Sequence, residues 1–228
     1  MKKMKARGTR KTWKLGSVLF LVLSAAFVIA GCGEDKKTSI FLRNQNSGQI
    51  IVWYLKGTNI TGNAVIGVAA TPWQVVGVAD FNDDRDPDIL LYNQTTGQII
   101  VWYLKGTSIT GNAAIGVAAA PWQVAGVADF NGDGNPDILL HNQVAGQVIV
   151  WHLKGMAITG NAVIGTAAAP WQVAGAADFN GDRHPDILLH NQASGQIITW
   201  YLKDTAITGD AVIATAAAPW QVVAPGIR

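Results

Sequence analysis

Three nine-residue stretches of the chain alternate oxygen-bearing side chains with other residues. They carry Asp80, Asn82, Asp84, Asp86 and Asp88; Asp129, Asn131, Asp133, Asn135 and Asp137; and Asp178, Asn180, Asp182, His184 and Asp186, with an imidazole at the seventh position of the last. A hard cation such as Ca2+ takes roughly six to eight oxygen ligands. A tight loop with Asp or Asn at positions one, three, five and nine supplies several of them, with a backbone carbonyl and water completing the shell. These residues are the candidate ligands for up to three Ca2+ ions. Eleven of the fifteen acidic residues of the chain fall in these loops, where unneutralised carboxylates repel one another. An EF-hand would need a bidentate Glu at position twelve, and this chain has Leu91, Leu140 and Leu189 there. The metal-free alternative is a turn whose Asp and Asn side chains bond their own backbone. Gly134 suits a sharp, left-handed sixth position. Arg85 and Arg183 occupy that position in the other loops, at a cost of about 1–2 kcal/mol if left-handed.

No catalytic constellation accompanies these loops. Glu34 is the only glutamate, and Ser39, Ser47, Ser108 and Ser194 are the only serines beyond residue 31. His141 and His190 occupy equivalent places, matched elsewhere by Arg43 and Tyr92. Neither a triad, a phosphate loop nor a zinc set emerges, so no residue is assigned as catalytic. Binding candidates are the pairs Arg43 and Asn44, Tyr92 and Asn93, His141 and Asn142, and His190 and Asn191. Amides beside an aromatic or planar group suit sugar hydroxyls and ring faces; hairpin-turn chemistry is the plainer explanation and is preferred.

The elements that must hold these groups follow from a repeat. Trp53, Trp102, Trp151 and Trp200 are spaced by 49 residues, as are Trp73, Trp122, Trp171 and Trp220. A period near 50 with several short strands per unit indicates propeller blades. In the unit from Pro121, residues 122–128 read as a first strand, 138–141 as a second, 142–146 as a hairpin turn, 147–153 as a third strand and 162–166 as a weaker fourth. The third strand is apolar on both faces and must be covered on both sides. The array begins at a second strand, Ile40–Arg43, and stops after a first strand, Trp220–Val223. The expected fold is therefore all-β: a β-propeller of four-stranded blades, four in number, closed by joining the N- and C-terminal strands.

At this point a family becomes legible. The run DFNGDGNPDILLHNQ followed by GQVIVWHLKG resembles the FG-GAP/VCBS repeat of integrin α-chain propellers and of some fungal and bacterial propeller lectins, over about residues 40–223. The resemblance implies Ca2+ in the blade loops and a role in adhesion or ligand binding.

The N-terminus reads as a targeting segment. Seven basic residues precede residue 15, an apolar stretch runs from Leu15 to Ala30, and Ile29-Ala30-Gly31-Cys32 follows. This order is that of a secretory signal, and its end resembles the bacterial lipobox, with Cys32, the only cysteine, as the lipidation site. The reading is a signal peptide over 1–31, a tether over 32–39 and repeats over 40–228, exported and lipid-anchored at a bacterial outer membrane or cell surface. Beyond residue 31 the chain has ten basic and fifteen acidic residues, which argues against nucleic acid as a partner. Carbohydrate binding or adhesion ranks first as function, a protein-interaction scaffold second and a hydrolase a distant third. A homodimer is expected if the ring stays open.

Overall fold

The computed structural model describes residues 27–29, as backbone strand alone, and 38–222. It is all-β, with four antiparallel four-stranded sheets arranged as blades of a β-propeller. Blade 1 consists of β1 (Phe27–Ile29), β2 (Thr38–Arg43), β3 (Gln49–Lys56) and β4 (Asn59–Val68). Blade 2 consists of β5 (Trp73–Ala79), β6 (Asp88–Asn93), β7 (Gln98–Lys105) and β8 (Ser108–Val117). Blade 3 contains β9 (Trp122–Ala128), β10 (Asp137–Asn142), β11 (Gln147–Lys154) and β12 (Ala157–Thr166). Blade 4 contains β13 (Trp171–Ala177), β14 (Asp186–Asn191), β15 (Gln196–Lys203) and β16 (Ala206–Thr215). In each blade the strands pair in chain order, so the Asp/Asn loops between first and second strands all emerge at one end of the array.

The period-two alternation of the third strands sets how blades pack. On β11, Val148 and Val150 face blade 4, in a cluster with Phe130, Ile187, Leu189 and Leu202. Ile149, Trp151 and Leu153 face blade 2, in a cluster with Phe81, Leu90 and Ile99. A third cluster joins blades 1 and 2 through Phe41, Ile50, Ile89 and Leu104. The core is thus three apolar seams, one at each junction, and burying each large side chain contributes roughly 1.5–3 kcal/mol. No core cluster among the described residues joins blade 4 to blade 1.

First strands carry a bulge: Ala125 is skipped where Gly126 opposes Leu139 and Val124 opposes Leu140, and β5 and β13 repeat it. At the second-to-third-strand hairpin, Gly146 adopts φ 73°, and any Cβ there would strike the backbone of Ala167 and Ala168. The Gly146 carbonyl accepts from Ala167 N–H at 2.7 Å, tying the hairpin to the segment that leaves the fourth strand. Blades 2–4 are entered through cis bonds at Thr71–Pro72, Ala120–Pro121 and Ala169–Pro170, a feature the sequence reading does not anticipate.

Two expectations need correction. The fourth strand is not short: β12 runs ten residues from Ala157. Nor does the C-terminus supply the missing first strand. β1 takes that place, pairing Val28 with Ile40, whereas Trp220, Gln221 and Val222 form no strand. The physical reason is local supply: Phe27–Ile29 lies only nine residues before β2 and falls within the apolar stretch read as a signal core, so it offers a strand-forming edge partner at small loop-closure cost.

Candidate functional site

The loop of blade 3 shows how these sequences fold. Asp129 closes it by accepting Gly132 N–H (2.8 Å) and Asp133 N–H (3.1 Å) on Oδ1, and Gly134 N–H (2.8 Å) on Oδ2. Asn131 Oδ1 also accepts Asp133 N–H, at 3.0 Å, and Asp133 Oδ1 accepts Asn135 N–H at 2.8 Å. The side chains at positions one, three and five therefore gather around one turn. Asp178, Asn180 and Asp182 repeat these bonds in blade 4, and Asp80, Asn82 and Asp84 repeat those to positions five, six and seven in blade 2.

Tightness of this order needs left-handed backbone twice per loop. Position six has φ 84° at Gly134, 70° at Arg85 and 74° at Arg183, and position four has φ 72° at Gly132, 82° at Gly181 and 58° at Asp83. The sequence reading identifies position six and passes over position four, although the Gly at 132 and 181 is a signal for it.

Position nine is different in kind. Asp88, Asp137 and Asp186 are fully buried. Asp137 Oδ2 accepts Phe130 N–H at 3.0 Å and its Oδ1 accepts Leu153 N–H at 2.9 Å. Asp88 binds Phe81 and Leu104 in the same way, and Asp186 binds Phe179 and Leu202. These carboxylates pin the loop to the third strand. Burial pushes the Asp88 carboxyl up to about 6, opposed by its two backbone donors and reinforced by the charges of Asp84 and Asp80. Burial raises Asp186 likewise.

Position seven reaches sideways to the next hairpin. Asn135 Oδ1 meets Gly155 N–H at 3.5 Å, Asp86 Oδ1 meets Gly106 N–H at 3.4 Å, and His184 Nδ1 meets Asp204 N–H at 3.4 Å. Lys105 Nζ stands 2.8 Å from Asp86 and 3.9 Å from Asp84; this hydrogen bond is the chief reason that Asp86 titrates below the usual carboxylate range. Asp133 is likewise lowered, first by the Asn135 side chain, and Asp182 first by the His184 N–H.

As a test of fit to a hard cation, positions one, three and five suit it: they are oxygen-only and drawn to one turn. Position nine holds each of its oxygens on one backbone N–H group, which leaves a further lone pair on each. Among the described residues no three His, Cys, Asp or Glu side chains form a metal-holding group, so any cation would lean on the Asn and backbone oxygens.

At the opposite end of the blades, the candidate ligand residues turn out to share one task. Arg43 donates to Ala69 O (Nε, 3.1 Å), Tyr92 Oη to Ala118 O (3.0 Å), His141 Nε2 to Ala167 O (2.9 Å) and His190 Nε2 to Ala216 O (3.2 Å). Each spans 26 residues. Asn44, Asn93, Asn142 and Asn191 accept the N–H groups two and three residues on, which is turn chemistry. A shallow pocket lies against His190, Gln192, Pro219, Trp220 and Gln221. Cys32, the expected lipidation site, lies outside the described residues.

The FG-GAP-like repeat family matches residues 80–140 and 129–189. No curated protein matches the chain. Among solved structures, Kuenenia stuttgartiensis hydrazine synthase is similar with a TM-score of 0.50 at 12% identity, covering 89% of this chain and 53% of that one; the likeness is one of fold, and this chain spans about half of that one. Repeat period, blade layout and family match converge: residues 80–189 carry two adjacent FG-GAP-like repeats, within a chain folded as the four blades of a β-propeller.

Proposed function

We propose that this propeller is a non-enzymatic recognition scaffold of the adhesion type, steadied by Ca2+ in its blade loops and directed at carbohydrate. The FG-GAP-like propeller is itself suited to protein interaction or adhesion. The observation that carries the reading is the division of labour at the loops. Buried position-nine carboxylates anchor each loop, while Asp129, Asn131, Asp133 and Asn135, and their counterparts in the other loops, present oxygens at one end of the array. Titratable groups that would otherwise suggest catalysis, Asp137, His141 and His190, are occupied in holding the frame. Carbohydrate is proposed as ligand because Trp220, Gln192 and Gln221 line one pocket beside His190, where an indole and amides suit a sugar. Lipid anchoring through Cys32 would place this surface outside a bacterial cell, and would remove residues 1–31 and β1 with them.

The test is a pair of measurements on the full chain. Thermal melts in chelator and in millimolar Ca2+ should differ, since binding to the native state raises stability by mass action, and Asp133→Ala should remove most of the middle loop's share. Coincident melts would end the calcium part. A glycan array probed with and without Ca2+ should show saturable binding to a restricted set of sugars; uniform silence, with a co-purifying protein instead, would favour the assembly-scaffold reading.

A further inference from the structure

Every blade has two unlike apolar faces, and at the ends of the array one of each is less covered than its counterparts. The face toward the preceding blade is built by Ile89, Leu91 and Leu104 in blade 2, and by their counterparts in blades 3 and 4, all of them at most 1% exposed. In blade 1 the equivalent residues are Ile40, Leu42 and Leu55, and all three are only half-buried. The face toward the following blade includes Phe130 (0%) and Ile164 (8%) in blade 3; in blade 4 the same positions are Phe179 (37%) and Ile213 (50%). Trp220, whose counterparts Trp73, Trp122 and Trp171 are all partly covered, is 74% exposed.

We infer that the blade 4 face of one chain docks on the blade 1 face of a second copy, and that two copies close head to tail into an eight-bladed ring. The occupant is named by the chain itself. The junction between these faces already occurs three times within one copy, with the same residue types, and a second copy presents the missing half in its blade 1. A pair joined through two blade 4 faces would make a contact with no precedent in the chain. Eight blades also lie within the range of about four to eight that propellers adopt. The inference does not depend on calcium or on any sugar.

One position departs from the repeat. At the three internal junctions Gly67, Gly116 and Gly165 lie against Ile109 and Trp102, Ile158 and Trp151, and Ile207 and Trp200. The blade 4 equivalent is Ala214. A Cβ at the internal glycines would come within 2.9–3.2 Å of the isoleucine Cδ1, the free end of a flexible side chain. The partner's Ile60 can therefore give way, at some cost to the affinity.

The experiment is native mass spectrometry and sedimentation of the full chain in non-ionic detergent. Wild type should form a two-chain species. Ile213→Asp and Ile60→Asp change residues already exposed in the single copy, so each variant should keep its fold and melt, and each should weaken pairing by about tenfold or more. Mixed one to one, the two variants should regain pairing as a one-to-one species, because one junction then joins two unmutated faces. Ala214→Gly should tighten the wild-type pair. A single-chain wild type at all concentrations, growth beyond two chains, or failure of the mixture to pair would each overturn the proposal.

Discussion

At the scale of single residues, the donor that ties each hairpin to its blade is chosen freely, because its acceptor is a backbone carbonyl. Arg43, Tyr92, His141 and His190 all satisfy it, and this freedom brings in a pH dependence. Burial lowers the His141 pKa, opposed by its bond to Ala167. A histidine whose folded pKa is depressed contributes stability above its unfolded value of about 6.5, lost as pH falls through the folded one. Denaturant melts should therefore show stability falling below about pH 6.5, and His141→Tyr, which copies Tyr92, should remove part of that fall; an unchanged profile would count against it. Asp137→Ala strands the N–H groups of Phe130 and Leu153. It should cost about 1–3 kcal/mol for each, measured by the same melts, with Asp137→Asn in between. Thr199 stands where Val52, Val101 and Val150 stand in the other blades, buried, with its hydroxyl unpartnered among the described residues. Thr199→Val should stabilise the fold by about 1 kcal/mol; a destabilised variant would mean that the hydroxyl has a partner.

Elements were the most legible level. Tryptophan spacing and strand alternation locate the first three strands of each complete unit, blades 2–4, to within a residue or so, because each unit must bury the same two faces. The fourth strand was underestimated because it lies at the outer edge: on β12, Ala157, Ile158, Thr159, Asn161 and Val163 are exposed, so the hydrophobic pattern that reveals the other strands fades there. The loops were legible as oxygen-rich turns, while the distinct duty of position nine was not, since its burial depends on the third strand closing over it. The cost of arginine at the sixth position also becomes concrete. Arg183 holds φ 74°, so Arg183→Gly relieves about 1–2 kcal/mol of strain against roughly 0.4–1 kcal/mol of added unfolded-chain entropy. Thermal melts should show a small net gain, and a loss would mean that the arginine side chain holds the loop. The origin of the blade 1 inner strand was misread because two segments compete for one edge. β1 keeps the register of its counterparts: Ile29 opposes Ser39 as Ala79 opposes Asp88 in blade 2.

For the whole molecule, a linear series of seams implies graded stability, since each blade leans only on its neighbours. Hydrogen exchange should be slowest in β6, β7, β10 and β11, which are covered on both sides, and faster in β2 and β16, with the difference at the two ends shrinking as protein concentration rises if the ends meet in a pair. Uniform protection independent of concentration would point instead to a ring closed within one chain. Since the two end faces are the ordinary faces of any blade, inserting or deleting one whole 49-residue unit would leave both ends chemically unchanged. Unit number can thus drift by duplication without a new interface having to be invented, each duplication in a paired assembly adds two blades at once, and a tandem fusion of two copies is already the gene for the closed ring.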